Sequence, residues 1–299
     1  PGIHLFGVFD GHGGKEVAKF VARNFVKELL ANEAFKKKNY EKSLVETFLR
    51  MDEILLSPSG KKELNAIRAE DGKGDSSESQ AGCTANVSLI VDRTLYCANA
   101  GDSRCVLSSK GVAVEMSYDH KPDDDLERKR VEKGGGYVVE GRINGNLNLS
   151  RAIGDLEYKR NGGIGVEEQL IIAVPDVKKR ELTADDEFLI MGCDGIWEVK
   201  SNQAIVEFVG ERVKKGTTLS KVAEELLDAL LAPDTMNGTG CDNMTCIIAT
   251  LQSSFKILII IISSTEFFRA IYRFFLQKLR FDLFSTSRQN FVTISILCM

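Results

Sequence analysis

Four aspartates stand where an apolar run meets a small or polar turn residue. They are Asp10 in Gly7-Val-Phe-Asp10-Gly-His12-Gly-Gly14, Asp102 in Ala98-Asn-Ala-Gly-Asp102-Ser, Asp194 in Leu189-Ile-Met-Gly-Cys-Asp194-Gly195 and Asp242 in Gly240-Cys-Asp242-Asn243. A strand that ends in an acid and then turns places the carboxylate on the rim of a sheet. Several carboxylates on one rim repel each other unless a cation holds them, and an all-oxygen donor set suits a hard ion such as Mg²⁺ or Mn²⁺. Taken singly, each instance also fits a plain hairpin turn. The first carries more: His12 follows at once, two further glycines lead into a helical pattern, and Gly11, lacking a Cβ, can bring its carbonyl close to an ion.

The elements that must position these residues follow from periodicity. Ile3–Phe9 reads as a buried strand, and Val17, Phe20, Val21, Phe25 and Leu29 recur at helical spacing between Gly14 and Leu30. Glu41–Leu56 repeats that spacing, whereas residues 57–80 are polar and charged and read as a surface loop. Short strands with turns at Asp92-Arg93 and Gly101-Asp102 are expected over Gly82–Ser108, then a charged helix over Pro122–Lys133. Strands at 177–182 and 187–193 precede amphipathic helices at 202–214, with Ser201 as N-cap, and 219–231; Met244–Leu251 reads as a final strand. Such strand runs with helices at both ends predict an α+β fold of two antiparallel sheets covered by helices.

Seven motifs then carry a resemblance. Val8-Phe-Asp-Gly-His-Gly-Gly14, Gly82-Cys-Thr-Ala85, Ala100-Gly-Asp-Ser-Arg104, Asp119-His-Lys-Pro122, Leu149-Ser-Arg-Ala-Ile-Gly-Asp155, Cys193-Asp-Gly-Ile-Trp197 and Cys241-Asp-Asn-Met-Thr245 occur in order over residues 3–251. In sequence and spacing they resemble the metal-dependent Ser/Thr protein phosphatases of type 2C. The resemblance implies a four-layer α-β-β-α sandwich and hydrolysis of phosphoserine and phosphothreonine in proteins. It also implies an earlier strand pair, with an Arg that grips phosphate and an acid that helps hold a metal. Neither is in the sequence, which begins at Pro1, so the chain is expected to start in mid-domain, without its first strands.

For this chemistry, two divalent ions ~3.5–4 Å apart can activate a shared water and neutralise the phosphoryl oxygens. The expected assignment has Asp10 bridging both ions, the Gly11 carbonyl completing one shell, and Asp194 and Asp242 holding the other ion. His12 is the candidate general acid for the leaving serine or threonine oxygen, with a hydrogen-bonded turn histidine as the simpler reading. The resemblance suggests a looser third ion near Thr84, Asp102 and Asp194. Glu198 stands where the family often has an Asp, and a ligand role for it is not expected. Trp197 reads as core. Asp119-His120-Lys121-Pro122 reads as structural, with the adjacent acid fixing His120's loop and Pro122 starting a helix. Arg151 and Asp155 are expected to stabilise each other. Residues 156–172 resemble the family's flap beside the active site, which is implied to select protein substrates.

The chain has 299 residues, 43% hydrophobic and 27% charged, enough for one sizeable core. A net charge of −4 gives no reason to expect nucleic acid, and three histidines argue against a His-rich zinc site. The seven cysteines form no Cys-x-x-Cys pair, so reduced, buried thiols in the cytoplasm or nucleus are expected. Residues 1–251 read as the phosphatase-like domain. Residues 252–299 differ: they lack Gly and Pro and hold eight of the sixteen Phe and six Lys/Arg against two acids. This is the composition of translated AT-rich non-coding sequence, the preferred reading. Against it stands a basic amphipathic helix over Glu266–Arg280 that would lie on a membrane or in a partner's groove. The run Ile257–Ile262 is too short to span a bilayer, which takes ~20 residues. The partners expected are phosphorylated proteins; oligomeric state is not legible. The functional alternative is a non-catalytic relative that keeps the fold as a binding domain.

Overall fold

Period-two alternation in strands and 3.6-residue spacing in helices sort the apolar residues onto defined faces. The computed structural model describes residues 2–70, 79–232, 240–251, 257–264 and 292–298, the last two stretches by the course of the backbone. The chain opens with β1 (Ile3–Phe9), β2 (Gly11–His12), α1 (Glu16–Ala31), α2 (Glu33–Lys36), α3 (Tyr40–Leu56) and α4 (Pro58–Glu70). Next come β3 (Gly82–Cys83), β4 (Ala85–Val91), β5 (Thr94–Ala100), β6 (Arg104–Ser109), β7 (Val112–Glu115), α5 (Asp125–Lys133), β8 (Val138–Val139), β9 (Arg142–Ile143) and β10 (Ile153–Gly154). A 3-10 turn at Leu156–Lys159 leads to β11 (Asp176–Glu181), β12 (Asp186–Gly192), α6 (Asp194–Trp197), α7 (Asn202–Lys214), α8 (Leu219–Leu230), β13 (Met244–Leu251), β14 (Ile257–Ser264) and β15 (Val292–Cys298).

One five-stranded sheet has the order β11-β5-β4-β1-β15 and the other β14-β13-β12-β6-β7; β10-β3-β2 form a small third sheet. Within the two large sheets every described pairing is antiparallel except that of β1 with β15, which is parallel. The fold is thus mixed helix and mainly antiparallel sheet, as the sequence pattern predicts.

Alternation assigns the faces. Leu5 and Phe9 of β1 join Val87 and Leu89 of β4 in a cluster with Val17, Phe20, Phe25, Phe48, Met51, Leu64 and Ile67 from α1, α3 and α4. Phe6 and Val8, one residue out of step, meet Leu189, Met191 and Ile247 of the other sheet. Phe188, Ile190 and Ile248, on that sheet's opposite face, pack with Ile205, Val209, Val222 and Leu226 of α7 and α8. A one-residue slip in any of these strands would exchange its two apolar sets, so the register is strongly specified.

Two sequence expectations are corrected. Residues 57–80 are not simply a loop, because α4 occupies Pro58–Glu70. Ser57 Oγ accepts the Gly60 amide at 3.0 Å, Pro58 fills the first helical position, and Leu64 and Ile67 enter the core three residues apart. The helix after Pro122 begins at Asp125, since the Asp124 carboxylate accepts the Lys121 amide at 3.1 Å and closes a turn first. Residues 252–299 contribute two described strands: the apolar run from Ile257 pairs with β13, and β15 with β1. The expected helix over 266–280 lies outside the described residues. Among the described residues no helix is long and apolar enough to cross a membrane.

Phe25 is fully buried, with its ring centre 5.8 Å from that of Phe9 and 5.5 Å from that of Phe48. Phe25→Ala is expected to lower the unfolding free energy by ~3–5 kcal/mol, as measured by urea titration.

Candidate active site

Three of the four aspartates lie just beyond a strand's C-terminal end: Asp10 after β1, Asp102 after β5, and Asp194 after β12, opening α6. Asp242 is the exception, because it precedes β13 instead of ending a strand. The antiparallel register, with Gly192 opposite Cys246, nevertheless brings the start of β13 to the end of β12. Gly195 makes that approach possible: a Cβ there would lie 2.4 Å from the Asn243 carbonyl oxygen. Cys193 ties the same two turns together, its thiol donating to the Asn243 carbonyl at 3.3 Å and accepting the Thr245 amide at 3.2 Å.

The rim is a cluster of like charges. A carboxylate oxygen of Asp10, one of Asp194 and Cys193 Sγ all lie within 4.8 Å of one another. Burial, then the charges of Asp102 and Asp242, push Asp10 up to about 7 despite the opposing pull of His12. Burial again, then Asp102, Asp10, Asp242 and Glu198, push Asp194 up to about 8. Burial and the charges of Asp10 and Asp194 hold the Cys193 thiol well above its ordinary value, so it stays protonated and leaves the oxygens as the donors. Two half-buried carboxylates at this separation fit a hard divalent cation, which would relieve the repulsion that lifts both acids.

Asp102 is almost fully buried and its carboxylate is engaged by Lys121 Nζ. Thr84 Oγ1 lies 2.7 Å from Ser103 Oγ and accepts the Asp10 amide at 3.3 Å. Thr84 also donates its own amide to the Asp10 carbonyl at 2.8 Å. Both residues therefore sit beside the cluster with their polar groups already partnered. Lys121, expected from sequence to be part of a structural motif, meets the cluster through Asp102; its place in Asp119-His-Lys-Pro122 was the available signal.

His12 reaches the site on β2 and is held by a residue the sequence reading had placed elsewhere. Its Nε2 lies 2.7 Å from Asp155 Oδ2. Burial would lower the imidazole pKa, but the hydrogen bond and charge of Asp155, with the charges of Asp10 and Asp102, outweigh it and raise it. The expected pairing of Arg151 with Asp155 is therefore corrected. Arg151 instead donates to Glu127 at 3.1 and 2.7 Å and to Asp176 at 2.9 Å. Asp119, beside His120, takes Arg104 at 2.6 and 2.9 Å. His120 Nε2 meets Asp176 at 3.1 Å, while its Nδ1 accepts the Gly101 amide at 3.2 Å and so fixes the turn carrying Asp102. Both partners lie tens of residues away, which hides them from a linear reading. Glu198 is exposed, and Trp197 is core, donating Nε1–H to the Gly192 carbonyl at 2.9 Å.

A mixed helix and antiparallel-sheet fold with this oxygen-rich rim defines a scaffold suited to a hard divalent cation. The sequence profile described as Protein phosphatase 2C matches residues 2–239. "Protein phosphatase 2C 1" of Paramecium tetraurelia is 56% identical over 254 residues, covering 84% of this chain and 83% of that protein. Among solved structures, a phosphatase from Toxoplasma gondii superimposes with TM-score 0.64 at 23% identity, covering 86% of this chain and 87% of its own. Another, "serine-threonine phosphatase 2C from Toxoplasma gondii", gives TM-score 0.60 at 20% identity, covering 82% and 84%. The chain belongs to the protein phosphatase 2C family, whose activity is metal-dependent dephosphorylation of serine and threonine in proteins. Nothing in these likenesses favours the non-catalytic alternative.

The Arg151 network makes a pH prediction. Burial opposes charge on Glu127, but Arg151 and Arg130 prevail and hold it at about 2. The His120 hydrogen bond, against burial and aided by Arg151, holds Asp176 at about 2 as well. Both acids are thus depressed, so their stabilisation is complete above their ordinary values and disappears as pH falls from about 4.5 towards about 2. Glu127→Gln should cost ~3–5 kcal/mol near neutrality, and the gap from wild type should close towards pH 2 in denaturant titrations.

Proposed function

We propose that Asp10, Asp194 and Asp242, with the Gly11 carbonyl, hold two divalent cations, Mg²⁺ or Mn²⁺, and that His12 protonates the leaving oxygen of a phosphoserine or phosphothreonine side chain. The observation that carries this reading is the approach of Asp10 and Asp194 to within 4.8 Å, with both acids raised to about 7 and 8. When bound, such ions neutralise phosphoryl oxygens and acidify the attacking water. The chain's own residues supply the rest. Asp10 is fixed by the Thr84 backbone and hydroxyl, and Asp194 by the Cys193 bonds to the neighbouring turn. His12 stands two residues from Asp10, so the proton donor and the carboxylate rim share one rigid turn.

A third ion at Asp102, Thr84 and Asp194 would require Lys121 to release Asp102, so we assign that place to the lysine whenever only two ions are bound. The three apolar clusters support a four-layer α-β-β-α arrangement for residues 1–251. The substrates are phosphorylated proteins. The buried free thiols Cys83, Cys97, Cys105, Cys193 and Cys246 suit a reducing compartment, the cytoplasm or nucleus.

Turnover of a phosphothreonine peptide should require added Mn²⁺ or Mg²⁺, and Asp194→Asn should reduce it by ~10³-fold or more; turnover in chelator, or unchanged in the variant, would overturn the assignment. A thermal-shift titration gives a second measure. Mn²⁺ should stabilise wild type and not Asp194→Asn, while the metal-free variant should exceed metal-free wild type by ~1–3 kcal/mol because Asn avoids the cost of burying an acid whose pKa is raised to about 8.

A further inference from the structure

The bond between His12 and Asp155 is built with more care than a chance contact requires. In the small sheet, His12 pairs with Gly82 on one side of β3 and Gly154 pairs with the same Gly82 on the other. Histidine and aspartate therefore meet across a residue that has no room for a side chain. A Cβ on Gly82 would fall 2.3 Å from Asp155 Oδ2 and 2.6 Å from His12 Nε2. Asp155 is 2% exposed and adopts a left-handed backbone, φ 49°, uncommon for any residue but glycine and least unfavourable for Asn and Asp.

The turn carrying Asp155 is held from both sides by one acid of α3. Asp52 Oδ1 accepts the Gly154 amide at 2.8 Å and Asp52 Oδ2 accepts Lys159 Nζ at 2.5 Å. Lys159 also donates to the Ala152 carbonyl at 2.8 Å, closing a buckle across residues 152–159. The Asp155 amide is anchored on the Ala81 carbonyl at 3.2 Å, beside Gly82. With Asp155 held in this way, its carboxylate fixes the orientation of the imidazole. Its Nε2 faces Asp155, and Nδ1 meets no partner among the described residues.

We infer that Asp155 is a positioning residue for phosphate-ester cleavage: it engages His12 Nε2–H, so that Nδ1 is the ring nitrogen that delivers the proton to the departing alkoxide. The inference rests on the general-acid role given to His12 above and adds which nitrogen acts and what aims it. In the step, a water oxygen bonds to phosphorus and releases a proton to solvent as the P–O bond to the serine or threonine oxygen breaks; that bond's electron pair stays on the departing oxygen, and the Nδ1 proton neutralises it. Nε2 keeps its hydrogen throughout, and the imidazole leaves the step neutral with Nδ1 bare. An alkyl oxygen leaves as a strongly basic alkoxide and needs this proton; a nitrophenolate does not.

The test uses the full chain with Mn²⁺ and compares a phosphothreonine peptide with p-nitrophenyl phosphate. Asp155→Asn should lower kcat on the peptide ~30–300-fold, and on the aryl ester at least ~10-fold less. Combined with His12→Gln it should add little to the loss from His12→Gln alone, since both act through one proton. Equal losses on both substrates, or losses that multiply in the double variant, would overturn the inference. Should Asp155→Asn not fold, Gly82→Ala wedges a methyl between two intact partners and should give the same leaving-group split. If His12→Gln itself shows no split, the general-acid reading fails instead.

Ring ¹⁵N–¹H spectra then judge the positioning separately from turnover, and the three histidines keep them assignable. Wild-type His12 should carry a slowly exchanging Nε2 hydrogen that disappears in Asp155→Asn; identical ring spectra in the two proteins would overturn the inference whatever the activity.

Discussion

Mutual repulsion among carboxylates on one rim is the constraint around which this fold is arranged. Asp10 and Asp194 approach within 4.8 Å while Asp102 and Asp242 add their fields, and nothing in hydrophobic packing rewards that approach. The surrounding structure enforces it. β1 and β12 are buried on both faces, so the positions of their ends are set by cores on either side of each sheet. Gly195 and the Cys193 thiol then lock the Asp194 turn onto the Asp242 turn. Stability given up at the rim is the usual cost of a preorganised binding site, and a bound cation would restore it.

Around that rim the protein uses paired side chains to aim groups and not only to neutralise them. His12 is set by Asp155, and His120 by Asp176 on one nitrogen and the Gly101 amide on the other. Asp176 is shared with Arg151, which also grips Glu127, so the turn bearing Asp102 is linked through His120 to the buried Arg-Glu cluster beneath α5. Lys121 completes this side by engaging Asp102 itself. Such connected networks are high-stakes in a low dielectric, since removing one member leaves its partners buried and unpaired.

The outer edges of the two sheets show a different economy. β14 extends one sheet antiparallel to β13, and β15 extends the other parallel to β1. Each covers a backbone edge that would otherwise offer unpaired amides and carbonyls, a role that strands from many sequences can fill because it is chiefly main-chain bonding. The β-branched run at Ile257–Ile262 is well suited to it, whatever its unusual composition.

Much of this was legible in the residues alone. The apolar periodicities located β1, α1, α3, α7, α8 and β13 to within a residue or two, because burial on one or two faces leaves a period that local chemistry cannot disguise. Turn residues Gly, Asp and Asn at fixed offsets marked the four acids, and the family resemblance carried by the seven motifs pointed to His12. Helix α4 escaped because Leu64 and Ile67 are its only large apolar side chains in the core and its mostly polar, charged remainder resembles a loop. The partners Asp155 for His12, Asp176 for His120 and Glu127 for Arg151 could not be read at all. Each pair is brought together by sheet register and loop closure, which act across long stretches of chain and leave no spacing to recognise. The sequence by itself determined which acids and which histidine are available for metal and proton chemistry; the tertiary structure alone decided which way each points, because orientation depends on partners that only folding makes neighbours.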